Sequence, residues 1–280
     1  MEVGTSNSLP LPVALSIAGS DSGGGAGIQA DLKTFHTFGV FGTTAITAVT
    51  AQNTLGVRSV RTMDPGFVRE QIDAVCEDLH PSACKTGMLG DAEIIVAVAE
   101  SIERHALEPV VVDPVMVATS GDPLLEPDAL RTLIETLLPL AALVTPNIPE
   151  AEMLAGVPIS DPDEMEEAAR RIGGLGAGAV LIKGGHLRTG EVIDLLWDGS
   201  STTRWSAARI ETRHTHGTGC TLSAAIAAGL ARGVPLERAV VTAIGYTRDA
   251  IASAPGLGDG HGPLNHWAGP PPRPMRGPPR

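Results

Sequence analysis

A Gly-Thr-Gly-Cys turn at residues 217–220 precedes an apolar stretch, TLSAAIAAGLA, that has helical spacing. Glycines permit positive φ angles, so the N–H groups of Gly217, Thr218 and Gly219 can converge at a helix N-terminus, where the helix dipole favours an anion. The same residues also fit an ordinary helix start in which Thr218 is the N-cap. The turn therefore indicates either an anion hole or a plain capped helix.

Cys220 follows these glycines in the first turn of the predicted helix. The helix dipole at that position lowers a thiol pKa, which would let Cys220 act as a general base. The alternative is a small buried apolar residue, which is the commoner role of a cytosolic cysteine. A metal site of His214, His216 and Cys220 is disfavoured, because no fourth ligand is in view.

A second glycine cluster, GSDSGGGAG at residues 19–27, follows an apolar strand and precedes a helix that carries Asp31. It matches neither a Walker A loop nor a dinucleotide-binding fingerprint. Loops at the carboxyl ends of strands in α/β sheets bind small ligands, so Asp21 and nearby N–H groups could hold a hydroxyl or a phosphate. A simple tight turn fits the cluster equally well.

Polar side chains end three further apolar runs. In TPNIPE, residues 145–150, Asn147 and Glu150 stand at the start of a helix, where they suit either Mg²⁺ bound to phosphates or a capping box. Asp113 ends VVVD and Lys183 ends VLIK. A charge at the end of a buried strand is costly unless it meets an opposite charge or donors, so these residues are candidates for one shared site.

The periodicity of apolar residues predicts the elements that carry these groups. Strands alternate with helices, which favours a largely parallel sheet covered on both faces. Residues 191–210 instead predict an antiparallel hairpin at a sheet edge, around a Gly-Ser-Ser turn. The predicted strands are 13–18, 43–50, 109–116, 142–147 and 179–185, and the predicted helices are 30–38, 65–79, 91–104, 127–138, 161–172, 221–231 and 236–252.

The 280 residues are 43% apolar, enough for one large core, which we place at residues 11–267. Residues 1–10 and the proline-rich residues 268–280 are expected to be flexible. The formal charge of −12 disfavours a nucleic-acid partner. Three cysteines without a Cys-x-x-Cys pair, no basic signal region and no long apolar run predict a cytoplasmic protein without a membrane partner.

Several motifs in their order along residues 12–267 resemble one known family, the hydroxymethylpyrimidine and phosphomethylpyrimidine kinases of thiamin biosynthesis. The resemblance implies a ribokinase-like three-layer α/β/α fold, ATP and Mg²⁺ as cofactors, an aminopyrimidine alcohol and its monophosphate as substrates, and a homodimer. The motifs are AGSDSGGGAGIQADLKTF, TAVTAQNT, KTGML, VVDPVM, SGDPLL, TPNIPEAE, IKGGH and HGTGCTLSAAIAAGLA.

The resemblance also assigns roles to residues of this chain. Gln52 would hydrogen-bond the aminopyrimidine edge, because an amide offers both a donor and an acceptor. The resemblance also assigns substrate binding to Gly19, Asp21, Met88 and Asp31, and ATP binding to Lys183, Asn147, Thr145 and Thr218. It implies that Asp113 and Glu150 bind the metal. It further implies that Gly217, Thr218 and Gly219 form the anion hole and that Cys220 takes part in proton transfer.

Two other functions fit much of the same sequence. A pyridoxal or pyridoxine kinase would share the scaffold, but Gln52 argues against it, because pyridoxine-preferring relatives have an apolar residue there. A non-catalytic sensor could keep the pocket, although Asp113, Lys183 and Cys220 favour an enzyme. Thr119 stands in a flap where several relatives carry a lysine, so a phosphate contact is either missing or supplied by Lys85.

Overall fold

The structure is a computed structural model that describes residues 11–116, 127–187 and 190–269. The flap with Thr119, residues 1–10 and residues 270–280 lie outside the described residues. Among the described helices, none is both long enough and apolar enough to cross a bilayer.

Within the described residues, ten strands form two sheets. The larger sheet has eight strands, and six of them are parallel. The two strands of the predicted hairpin add to one edge in antiparallel fashion, which confirms the edge hairpin. The strands are β1 Val13–Ala18, β2 Phe41–Ile46, β3 Ala48–Asn53, β4 Gly56–Thr62, β5 Cys84–Thr86, β6 Val110–Val112, β7 Leu143–Val144, β8 Val180–Ile182, β9 Glu191–Trp197 and β10 Thr202–Ala208, in the order β10-β9-β8-β7-β6-β5-β1-β2, with β3 and β4 forming the smaller sheet.

Helices cover both faces of the larger sheet. One apolar cluster packs side chains of helices such as α2 (Pro65–Leu79) and α6 (Pro162–Gly173) against the sheet, and a second cluster does the same on the other face with α7 (Thr218–Ala231). This is the predicted three-layer α/β/α fold. The remaining helices are α1 Gly27–Thr37, α3 Ala92–Arg104, α4 Pro127–Thr132, which continues through a π turn at Leu133–Leu137, α5 Ile148–Ala155 and α8 Leu236–Ala252.

The prediction of a single strand at residues 43–50 was wrong. The chain leaves the large sheet at Thr47, which is fully buried and whose hydroxyl donates to the carbonyl of Met88. It then forms β3, which pairs with β4 in a separate hairpin. An unbroken run of β-branched residues does not reveal such a bend, and the missed strand β5 has only three residues.

Helix α7 lies between α1 and α8, and its small side chains allow this close packing. A Cβ at Gly229 would lie 2.9 Å from the Cβ of Ala239 in α8. The apolar contact fixes the helix along its length. Its N-terminus is thereby held at the carboxyl edge of the parallel strands.

His266 lies under the start of α7, with its Nε2 3.1 Å from the hydroxyl of Thr221. Burial, and then the charge of Lys33, lower the pKa of His266 to about 4, against about 6.5 in an unfolded chain. Between these values the unfolded chain binds a proton that the folded chain does not, so stability falls as the pH drops from about 6.5 to about 4, by at most about 3 kcal/mol.

We therefore expect His266→Gln to flatten the decline in unfolding free energy between pH 6.5 and pH 4.5. Urea unfolding of both proteins at several pH values measures the two slopes. Equal slopes would exclude His266 as the group responsible.

Candidate active site

A cavity of about 610 Å³ runs along the carboxyl edge of the sheet, past the N-terminus of α7. Its walls come from the ends of β1, β5, β6 and β8, from the hairpin strand β3 and from α8. Most of the residues singled out by sequence line this one space: Gly19, Asp21, Gln52, Met88, Asp113, Asn147, Glu150, Lys183, Gly217, Thr218, Gly219 and Cys220.

The two glycine clusters lie back to back beside the cavity. Gly217 has φ +84°, and a Cβ there would lie 1.9 Å from the carbonyl oxygen of Gly25. Gly27 has φ +55°, and its Cβ would lie 2.3 Å from the carbonyl oxygen of Gly19. Only glycine fits these contacts, so residues 19–27 and 216–220 form one interlocked backbone unit.

The residue before α7 is Gly217, so the interpretation of Thr218 as N-cap was wrong. Thr218 is the first helical residue, and both its N–H and its hydroxyl donate to the carbonyl of Thr215. The N–H groups of Gly219 and Cys220 donate no hydrogen bond within the described part of the chain. Free N–H groups at a helix start attract an anion, so Cys220 can add a donor to the predicted anion hole, which stays a prediction.

Asp113 and Lys183 form an ion pair on neighbouring walls of the cavity, with Nζ 2.9 Å from Oδ1. Burial of Asp113 opposes ionisation, but the positive charges of Lys183 and Lys85 leave its pKa lowered. Lys183 is also buried, yet Asp113 and Glu150 raise its pKa. Both groups are therefore charged. They also lie close to the free N–H groups at the start of α7, because a Cβ at Gly219 would lie 3.2 Å from Nζ of Lys183.

Thr145 does not line the cavity, and its assignment to ATP binding stays a prediction. Its side chain is fully buried and donates its hydroxyl to Oδ1 of Asp113, at 3.1 Å. Ser223 reaches the other oxygen of Asp113 from α7, at 3.3 Å. Both hydroxyls hold the carboxylate in place.

Asn147 and Glu150 form the capping box that the sequence left as an alternative to metal binding. The Asn147 side chain accepts from the N–H of Glu150, and the Glu150 carboxylate accepts from the N–H of Asn147. Burial, together with the charge of Asp113, raises the pKa of Glu150 to about 6, against the lowering effect of Lys183. Capping therefore accounts for this pair without a metal, although both side chains also face the cavity.

No cluster of three or more His, Cys, Asp or Glu residues suited to a metal occurs among the described residues. Asp113 and Glu150 supply two carboxylates at the cavity wall. Magnesium in phosphoryl-transfer sites is held by one or two carboxylates together with phosphates and water. The donors present fit such a magnesium ion and not an all-protein cage.

The other end of the cavity carries Gln52 and Met88. A Cβ at Gly19 would lie 2.4 Å from Cε of Met88, so glycine at position 19 makes room for the methionine. Thr50 donates its hydroxyl to Oε1 of Gln52 at 3.3 Å. The arrangement presents a flat apolar contact beside an amide, which suits a planar heterocycle.

The carboxylate of Asp21 accepts several hydrogen bonds from its own loop. Its carboxylate accepts from the N–H groups of Gly23, Gly25 and Ala26, and Nε2 of His216 lies 2.9 Å from Oδ2. Burial opposes ionisation, but these donors leave the pKa of Asp21 lowered. Asp21 thus organises the glycine loop, and its predicted contact with substrate stays a prediction.

His216 is a site residue whose role the sequence analysis missed. It is buried beside the cavity, and its Nε2 lies 3.4 Å from Nε2 of Gln52 as well as near Asp21. A Cβ at Gly25 would lie 2.7 Å from its ring. Its place directly before Gly217, next to the predicted anion hole, was the available signal.

Further residues missed by sequence lie at the end of the cavity that is walled by β9, by the residues after β10 and by α8, which is the end where we place the nucleotide below. Arg209 donates to the carbonyls of Gly185 and Leu187 and so holds the loop after β8. The hydroxyl of Thr247 is buried at the cavity wall and has no partner among the described residues. No local pattern marks these positions, because they converge only in the fold.

Asp31 does not line the cavity, and its assignment to substrate binding stays a prediction. Its side chain is completely buried behind the wall, where both oxygens accept from the ammonium of Lys85, at 3.1 and 2.9 Å. The hydroxyl of Ser16 donates to the same carboxylate at 2.6 Å.

The expectation of a lowered thiol pKa at Cys220 was also wrong. Burial raises the pKa of Cys220 to about 11, and Asp31 and Asp113 add to the rise. Lys85 and the N–H of Gly27 only partly oppose it. The position in the first turn of α7 is as predicted, but desolvation outweighs the helix dipole.

We expect alkylation of Cys220 by iodoacetamide to accelerate up to at least pH 10, because the thiolate alone reacts. At pH 7.5 the rate should be about 100-fold below that of a free cysteine of pKa about 8.5. Mass spectrometry of the peptide containing Cys220 measures the rate at each pH. A plateau between pH 7 and 9 would contradict the raised pKa.

The chain is similar to proteins of one family over nearly its whole length. The family model described as phosphomethylpyrimidine kinase matches residues 21–265. A hydroxymethylpyrimidine/phosphomethylpyrimidine kinase of Rhizobium meliloti is 56% identical, over 91% of this chain and 97% of the relative. The crystal structure of a phosphomethylpyrimidine kinase from Clostridium difficile has a TM-score of 0.77 at 44% identity, over 85% of this chain and 99% of the other.

A pyridoxal kinase is also among the similar solved structures. The ADP complex of the Bacillus subtilis enzyme has a TM-score of 0.85 at 39% identity, and the match covers 92% of this chain and 98% of the other.

Proposed function

The chain belongs to the phosphomethylpyrimidine kinase family, and on that premise we propose the reaction that its site performs. It transfers the γ-phosphoryl group of ATP to 4-amino-5-hydroxymethyl-2-methylpyrimidine, and then a second phosphoryl group to the resulting monophosphate, in thiamin biosynthesis. The observation that carries this function is the single cavity that joins Gln52 at one end to the Asp113–Lys183 pair and the start of α7 at the other.

In the proposed complex the triphosphate lies along Lys183 and the start of α7, and the heterocycle lies between Gln52 and Met88. The acceptor oxygen attacks the γ-phosphorus as the bond to the β-phosphate oxygen breaks, ADP leaves with that electron pair, and the proton of the alcohol is released to water. Charge on the transferred group is stabilised by Lys183 and by the N–H groups of Gly219 and Cys220. Transition states of this kind need little help from a base, so a neutral Cys220 is compatible with the reaction.

Magnesium would be held by Asp113 and Glu150 together with the nucleotide phosphates, and would supply neutralisation of charge on the β- and γ-phosphoryl groups. The pKa of about 6 of Glu150 leaves its carboxylate mainly ionised at neutral pH. Asn147, which caps the same helix, faces the cavity and is assigned to the nucleotide phosphates.

We also propose that the enzyme is a cytoplasmic homodimer. The three cysteines are all free thiols, as expected for a reducing compartment. The hairpin of β3 and β4 presents Val49, Leu55 and Val60, which are 44%, 67% and 39% exposed and offer an apolar surface to a second copy.

Phosphorylation of pyridoxal is a second candidate activity, favoured by the close match to the Bacillus subtilis pyridoxal kinase. Gln52 separates the two substrates, because its amide pairs with a ring nitrogen beside an amino group, and pyridoxal has no amino group there. A buried amide left unpaired costs about 1–3 kcal/mol.

The test compares kcat/KM for the aminopyrimidine alcohol and for pyridoxal in the wild type and in Gln52→Met. We expect the wild type to prefer the aminopyrimidine, and the substitution to lower that preference about 10- to 100-fold. A wild-type preference for pyridoxal would make the second candidate the main activity.

A further inference from the structure

The buried ion pair of Lys85 and Asp31 has no role in the mechanism above. Both side chains are 0% exposed. Replacing a buried ion pair with apolar residues is often neutral or stabilising, so such a pair is not explained by stability alone. Its place in the sheet instead suggests a role at the site.

Lys85 stands on β5, next to β1, which leads into the glycine loop of residues 19–27. It is paired in register with Ser16 of β1, whose hydroxyl shares Asp31. A Cβ at Gly87 would lie 2.9 Å from Nζ of Lys85, so the glycine leaves room for the ammonium group. The charge lies close enough to Cys220 to oppose the rise of its thiol pKa.

The distribution of cations along the cavity sets Lys85 apart. Among the described residues, the lysines and arginines that line the cavity are Lys85, Lys183, Arg209 and Arg248. The two arginines donate to backbone carbonyls at the nucleotide end, and Lys183 holds Asp113. Lys85 instead stands three residues before Met88, on the strand beside β1, and the end of β1 meets Met88 through the N–H of Gly19.

The two acceptors of the proposed function differ in charge at that end. The alcohol is neutral, whereas a phosphate monoester carries about −1.5 to −2 charges near pH 7. In the second transfer an oxygen of the acceptor phosphate attacks the γ-phosphorus, the bond between the γ-phosphorus and the β-phosphate oxygen breaks, and ADP leaves with that electron pair. Two anionic groups must therefore approach one another beside Cys220, which needs positive charge that the first transfer does not need.

We propose that Lys85 is the residue that adapts the acceptor site to the phosphate monoester. Its ammonium supplies positive charge to the second transfer, and Asp31 balances that charge while the acceptor is the neutral alcohol. The inference rests on the proposed function, since it requires both transfers to occur in one site.

The test is the ratio of kcat/KM for the monophosphate to kcat/KM for the alcohol, measured with purified full-length protein. Lys85→Met combined with Asp31→Asn removes both charges and leaves no unpaired buried ion. We expect the ratio to fall at least about 30-fold in this double variant, and to stay within about threefold of the wild type in Asp31→Asn alone, which keeps the ammonium. Arg171→Met, on the outer surface of α6, is the control for loss of one positive charge.

General damage to the fold lowers both activities together, so an unchanged ratio in the double variant overturns the proposal. A ratio that falls as far in Asp31→Asn as in the double variant also overturns it, because the ammonium is still present. If the double variant does not fold, Lys85→Arg with Asp31 intact provides a second test, because this variant keeps the positive charge. A ratio that falls about 30-fold in Lys85→Arg would contradict the proposed role of that charge. A wild type that phosphorylates neither acceptor would instead refute the proposed function.

Discussion

Gly217→Ala is expected to lower kcat at least about 100-fold, the size of effect seen when a donor to a developing anion is lost. The φ of +84° costs an alanine about 1–2 kcal/mol, and its Cβ would lie 1.9 Å from the carbonyl oxygen of Gly25. The two glycine loops must therefore move apart. That movement displaces the N–H groups of Gly219 and Cys220 from the transferred phosphoryl group.

Gly233→Ala is the matched control, because Gly233 follows the other end of the same helix with φ +72°, and a Cβ there would meet nothing within 4 Å. It introduces the same kind of backbone strain without a collision. Steady-state kinetics at saturating substrate measures both variants. Values of kcat within threefold of each other would show that the contact between Gly217 and Gly25 does not position the anion hole.

Asp113→Asn is expected to lower kcat by about 100- to 1000-fold and to weaken ATP binding. The substitution removes the charge that Lys183 faces at 2.9 Å. It also replaces one of the two oxygens, Oδ1 held by Thr145 and Oδ2 held by Ser223, with an amide NH₂ group that cannot accept. Removing one partner of a buried ion pair also costs about 3–5 kcal/mol of stability, so kcat must be expressed per folded molecule, judged by circular dichroism.

Asp73→Asn is the control for this substitution. Asp73 pairs with Arg104 and His105 at the surface, and its side chain is 27% exposed. Loss of such a pair costs about 0–1 kcal/mol and should leave kcat unchanged. If Asp113→Asn kept kcat within threefold of that control, the Asp113–Lys183 pair would not belong to the catalytic centre.

Much of the fold follows from local pattern. Alternating apolar runs and helical stretches were enough to predict the parallel sheet, its two helical layers and the antiparallel edge of β9 and β10. The bend at Thr47 and the three-residue strand β5 were not predictable in this way. A buried hydroxyl that turns the chain looks, in sequence, like any other β-branched residue within a strand.

The part of the candidate site that could be predicted is the part that residue type and position at the end of a strand indicate. Asp113, Lys183 and the glycine turn at 217–220 were found because each is unusual at the end of a buried run. The buried ion pair of Asp31 with Lys85 could not be predicted, because residue type does not tell which way a side chain points.

The thiol pKa of Cys220 depended on the balance of two opposing effects. The start of a helix favours a thiolate, whereas burial opposes it, and the sequence showed only the first effect. The raised pKa of about 11 follows from the depth of the pocket, which belongs to the tertiary structure.

The most direct test of the account is a time course of products from the aminopyrimidine alcohol and excess ATP, followed by phosphorus NMR and ADP release. The account predicts that the monophosphate forms first and is then converted to the diphosphate by the same protein, with two ADP released per alcohol. Accumulation of the monophosphate without any diphosphate, or no ADP release at all, would contradict two successive transfers in one cavity.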